Sequence, residues 1–101
     1  MRISEFQKLI KDIYYHRDKE RGVYKNFIWL VEEIGELARN LRKKELEIPN
    51  ISDELADIIA WTVSIANILN IDLEKSLKLK YPDKCYVCNS KPCQCNKEFK
   101  G

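Results

Sequence analysis

At 101 residues, 45% apolar and 34% charged, the chain is sized for one small globular domain and is too apolar for a disordered one. Its net charge of +2 gives no broad basic field, so nucleic acid is not an expected partner. A domain this small still exposes about a third of its unfolded-chain surface, which favours a partner subunit.

The N-terminal stretch has no apolar signal-peptide core, because Lys8, Lys11 and Asp12 interrupt it. Ser4 is a good N-cap, and Phe6, Leu9, Ile10, Ile13 and Tyr14 recur at helical spacing, which predicts a first helix from about Ser4 to His16. A basic connection from Arg17 to Gly22 is expected next. A second helix runs from Tyr24 to Lys43, with Phe27, Leu30, Val31, Ile34, Leu37, Ala38 and Leu41 on one face. Pro49 and Asn50 mark a break before a third helix from Ile51 to Leu69.

After Asp57 that third helix is apolar nearly all round, so it should lie centrally in a bundle or in a subunit interface. The nearly uncharged run from Ile58 to Ile71 is shorter than the about 20 residues of a membrane span, and a soluble, cytoplasmic protein is expected. Asp72 can cap a short fourth helix that ends before Pro82. No segment alternates strongly enough for a strand. The reading is all-α: a bundle of about four helices per chain over residues 1–81, with a Cys-rich tail over 82–101. The uncovered apolar surface predicts a homo-oligomer, dimer or tetramer, with the Trp61 region in its interface.

Two pairs of carboxylates carry the chemistry. Glu33 and Glu36 are neighbours on one helix surface, at the margin of its apolar face. Glu54 and Asp57 repeat the device on the next helix, on the stripe that continues as Ile58, Trp61, Ile65 and Ile68. Either pair alone reads as capping or solvation, with Asp53 and Glu54 favouring a helix start and Glu36 pairing with Arg39 or Lys43. Two pairs on consecutive apolar helices favour a cation between them, since burying each unpaired carboxylate costs on the order of several kcal/mol. Oxygen donors without His or Cys suit Mg²⁺ or Mn²⁺. Di-iron sites normally add Glu-x-x-His, and the only histidine, His16, follows Ile13, so iron oxidation chemistry is disfavoured.

These residues resemble a known family. Trp29-Leu-Val-Glu-Glu-Ile-Gly-Glu-Leu-Ala38 and Asp53-Glu-Leu-Ala-Asp-Ile-Ile-Ala-Trp61, continued by Ser64 to Glu74 and Leu79-Lys-Tyr81, look like the MazG-like all-α nucleoside triphosphate pyrophosphohydrolases. The resemblance covers roughly residues 5 to 81. It implies magnesium ligands at Glu33, Glu36, Glu54 and Asp57, and hydrolysis of nucleoside triphosphates to monophosphate and pyrophosphate. Glu36 or Glu33 would take the proton from water. Glu32 falls within the motif but points away from the packed face, a supporting place. Lys80 matches a basic position able to reach phosphate.

Other residues have two readings each. Arg17, Lys19, Arg21 and Lys25 form a solvated loop or hold the triphosphate. Trp29 lies on the side of Glu33 and Glu36, where it stacks on a base or packs; Trp61 reads as packing. Cys85, Cys88, Cys93 and Cys95 form a CxxC…CxC cluster that suits structural zinc, with disulfides and free thiols as alternatives. The rival to an enzyme is a helical oligomer whose zinc tail recruits a partner. A hydrolase restricted to dUTP or to nucleoside diphosphates is the nearer alternative.

Overall fold

The computed structural model describes residues 1–96, and residues 97–101 of the expected tail lie outside the described residues. Among the described residues four helices follow in order: α1 (Ile3–Arg21), α2 (Val23–Leu41), α3 (Ile48–Ile68) and α4 (Leu73–Lys80). There is no strand among the described residues. The chain is all-α. No single described helix is long and apolar enough to cross a membrane.

α1 begins one residue before Ser4 and runs through the expected connection. Glu5 accepts from the Arg2 backbone N–H at 2.9 Å, which caps the helix. The Ser4 N–H instead donates to Glu74 Oε1 at 3.1 Å and ties α4 to α1. At the far end only Gly22 breaks the helix, with φ 90° and ψ 160°, a conformation open to glycine. Asn26 is fully buried and seals this corner, donating to the Asp18 carbonyl at 2.9 Å and to the Gly22 carbonyl at 2.7 Å. Charge alone suggested a loop over Arg17 to Gly22; the helix continues because Asp18 and Arg21 turn inward and are partnered there.

α3 starts three residues earlier than its apolar pattern suggested, because Pro49 sits in the first turn, where a missing N–H costs nothing. α3 packs along α2 and against α1, and α4 lies against α1. Its Val63, Ser64, Ala66 and Asn67 are buried, so the expected central place holds. Asn70 at φ 57° turns the chain, and Asp72 caps α4 by accepting from the Lys75 N–H at 3.1 Å. Gln7 stitches the corner, donating to the Ile71 carbonyl at 2.6 Å and accepting from the Leu73 N–H at 3.1 Å.

The helices do not close around a large core. Among the described residues only Ile10, Ile51, Val63 and Ala66 are buried hydrophobics. The radius of gyration is 16.0 Å, against about 13 Å for a compact chain of this length. Phe27, Val31, Ile34 and Leu41 form one exposed stripe on α2, and Leu55 and Ile59 are exposed on α3.

Candidate active site

The α2–α3 packing brings Glu33 and Glu36 of α2 to Glu54 of α3. One carboxylate oxygen from each lies within 4.8 Å of the others, and all three side chains are half-buried. The spacing of three along α2 stacks its two acids one turn apart, and α3 presents the third across the groove. Glu54 Oε2 is buried with no hydrogen-bond partner. The Glu33 carboxyl is pushed up to about 7, first by removal from water, then by its hydrogen bond to Glu54 and by the charges of Glu54, Glu36 and Asp57. A triad in this state lacks positive charge.

Asp57 stands apart from the triad and is exposed, although its charge still acts on Glu33. It lines a cavity of about 360 Å³ with Tyr14, Arg17, Asp18, Trp61 and Ser64. That volume suits a small ligand. A larger hollow of about 510 Å³ lies between α1 and the α3–α4 corner, lined by Gln7, Lys11 and Asn70, and includes none of the four acids. Of the two, only the smaller cavity touches one of the four acids, Asp57.

Beside it the chain neutralises another acid by itself. Asp18 is buried, and its Oδ1 accepts from Arg21 at 2.9 Å. The same guanidinium donates to Asn26 Oδ1 at 2.7 Å. It also lies over the Trp29 ring at 4.5 Å and the Trp61 ring at 5.2 Å, while the two indoles meet edge to face at 5.2 Å. Arg21 is thus held by internal partners, and it also lines the cavity and the basic surface formed with Arg17 and Lys25.

The other basic residues are dispersed. Arg17 lines the cavity with Asp57, and with Lys25 it also lines a shallow basic surface that includes Glu20. Lys19 lies over the Tyr15 ring, and Lys80 over the rings of Tyr81 and Tyr86. Glu32 is exposed, as its helical angle required. The sequence does not single out Asp18 and Asn26, and it marks Tyr14 only as part of the apolar face of the first helix. The spacing of Tyr14, Asp18 and Arg21 along α1 is the signal that points to them.

In the tail, the sulfurs of Cys85, Cys88, Cys93 and Cys95 lie within 4.8 Å of one another. All four are free thiols. The backbone N–H of Gln94 holds the Cys88 thiol down to about 6, and hydrogen bonding to Cys93 with burial pushes Cys95 up to about 12. Four thiolates cannot share this volume without a cation.

No curated protein matches the chain. The profile of the MazG nucleotide pyrophosphohydrolase domain matches it over residues 23–84. That span takes in α2, α3, α4 and all four acids, and stops just short of Cys85. With well over half of its length matched, the chain belongs to the MazG nucleotide pyrophosphohydrolase domain family.

Proposed function

We propose that the protein hydrolyses nucleoside triphosphates to nucleoside monophosphate and pyrophosphate, with magnesium held by Glu33, Glu36, Glu54 and Asp57. The observation that carries this is the convergence of three carboxylates from two helices, with an unpartnered buried oxygen on Glu54 and a Glu33 carboxyl raised to about 7. An all-oxygen, charge-deficient set fits a hard divalent cation, Mg²⁺ or Mn²⁺. Such an ion supplies charge neutralisation for the phosphates and a water of lowered pKa.

The chain's own residues do the rest. Glu36 or Glu33 takes the proton as water attacks phosphorus. Asp57 completes the ligand set on the cavity side. Arg17 and Lys25 meet the phosphates at the mouth, and Lys80 is the basic group assigned to phosphate on α4. The nucleoside takes the cavity walled by Tyr14 and Trp61, with the exposed edge of Trp29 beside it.

The same reading includes a homo-oligomer. The Phe27, Val31, Ile34 stripe leaves each side chain nearly half exposed, and a second copy would cover it. That stripe favours an interface on α2, while Trp61, expected there from the sequence, packs against Trp29 and Arg21 within the chain.

A panel of ribo-, deoxy- and modified nucleoside triphosphates incubated with Mg²⁺, with products separated by chromatography, tests the reaction. Monophosphate and pyrophosphate are expected, and chelation should abolish turnover. Orthophosphate as the first product would overturn the assigned bond, and inertness toward every triphosphate would favour a scaffold. Light scattering at micromolar concentration tests the oligomer.

A further inference from the structure

The four cysteines lie outside the family match, yet their loop is built as tightly as the acid cluster. Cys85 and Cys95 sulfurs are 3.8 Å apart, and Cys88 and Cys93 sulfurs 3.9 Å. A tetrahedron of sulfurs about 2.3 Å from a central zinc has edges of about 3.8 Å. A disulfide needs about 2.05 Å, so both close pairs have the spacing of co-ligands rather than of a bond.

The backbone is arranged for the same end. The Cys85 N–H donates to the Ser90 carbonyl at 2.9 Å, and the Asn89 N–H to the Cys85 carbonyl at 2.8 Å, closing a tight loop around the first cysteine pair. Asn89 takes the left-handed turn at φ 59° that this loop requires. The Gln94 N–H points at Cys88 Sγ at 3.3 Å, and the Cys95 N–H at Cys93 Sγ at 3.4 Å. Backbone donors aimed at sulfur favour thiolates, the form that binds metal.

The loop also touches the helical domain. Tyr86, between the first two cysteines, meets Tyr81 edge to face at 5.8 Å. The Lys80 ammonium lies over both rings, at 5.6 and 5.4 Å. The last residue of α4 is therefore held by a side chain that the cysteine loop positions.

We propose that Cys85, Cys88, Cys93 and Cys95 bind one zinc ion as a closed tetrathiolate knuckle, and that this knuckle clamps the end of α4 through Tyr86 on Tyr81 and Lys80. Zinc is preferred because it takes four thiolates as a closed, redox-inert structural site. Four protein ligands leave no position for water or substrate, so the ion is structural. The zinc site does not depend on the triphosphate reaction, although the clamp holds Lys80, the group assigned there to phosphate.

Elemental analysis of the full chain, purified without added metal, should find about one zinc per chain. Cobalt exchanged into it should show the visible bands of a tetrahedral thiolate site. Cys88→Ser should lose the zinc, and Glu36→Gln should keep it. Mass spectrometry showing two disulfides, bound iron in place of zinc, or zinc retained by Cys88→Ser but lost by Glu36→Gln would each overturn the site. Limited trypsin digestion reads the clamp at the Lys80–Tyr81 bond. Zinc removal should speed that cut, and Tyr86→Ala should speed it while zinc stays bound. A cut rate in zinc-loaded Tyr86→Ala equal to that of the unsubstituted protein would overturn the clamp.

Discussion

The acid cluster and the cysteine cluster each gather like-charged ligands into a small space, but they are assembled in opposite ways. Glu33 and Glu36 meet Glu54 only because α2 packs along α3, so that cluster reports on the tertiary fold. The four cysteines lie within one short loop, shaped by its own backbone hydrogen bonds. Their ligand sets differ too. Three grouped carboxylates with Asp57 set apart at a cavity leave room for a substrate, whereas the four sulfurs lie within 4.8 Å of one another, as the proposed closed site requires. An open set suits catalysis and a closed one suits architecture, and nearby Asp18 shows a third solution, an acid neutralised by the chain's own arginine.

If the two clusters are separate in this sense, substitutions should divide cleanly between them. Glu36→Gln should lower turnover by about 10²-fold or more while zinc content is unchanged. Asp57→Asn should act in the same direction but less strongly, since Asp57 lies outside the triad, and Glu47→Gln in the α2–α3 loop should change little. Cys88→Ser should leave the magnesium affinity of the acid cluster as it was. Isothermal titration with Mg²⁺ beside steady-state kinetics reads each half. A Cys88→Ser protein that no longer binds magnesium would join the two regions into one.

The internally neutralised acid gives the largest expected change in stability. Arg21→Ala removes the partner of buried Asp18 and takes away the cation from Trp29 and Trp61. Breaking such a pair costs about 3 kcal/mol, because the remaining charge stays buried. Urea unfolding followed by tryptophan fluorescence measures it. A loss under about 1 kcal/mol would mean that water already reaches Asp18. Gly22→Ala should be milder, on the order of 1–2 kcal/mol, since a Cβ there meets no atom within 4 Å and only the backbone at φ 90° is strained. Zinc content should be untouched in both proteins.

How far these regions could be read from sequence follows from the same contrast. The carboxylate pairs were visible because acids at helical spacing interrupt an apolar stripe, and the structure brings three of the four together. The cysteines were visible because they are adjacent in the chain. The Asp18, Arg21 and Asn26 trio was not, because a charged run looks like a solvated loop until its partners are known. Pro49 misled in the other direction, since proline ends a helix interior but fits a first turn. Which apolar residues remain uncovered was also hidden. Phe27 and Leu30 look alike in periodicity, and only the direction of α3 exposes the first more than the second.

The smallest effect separates the two clusters by pH. Glu33 is raised from 4.5 to about 7 in the folded chain, chiefly by burial, with Glu54, Glu36 and Asp57 adding to it. An acid whose folded value is raised keeps its proton in the native state where the unfolded chain has already released it. Without metal, the Glu33 contribution to stability should therefore fall as pH rises from about 4.5 to about 7, and level off above. Glu47 and Glu74 are lowered by their lysine and N–H partners, so their contributions are already complete above 4.5 and do not blur this window. Urea midpoints of the Cys88→Ser protein in chelator at about pH 5 and about pH 7.5 read the slope without the Cys88 thiol, whose folded value of about 6 would add stability over the same interval. Glu33→Gln should flatten it, and Mg²⁺ should raise the midpoint at the higher pH, because an ion between the carboxylates replaces the proton. A midpoint that climbs across this interval without metal would mean that Glu33 is ionised at no cost, and the acid cluster would then need no cation to fold.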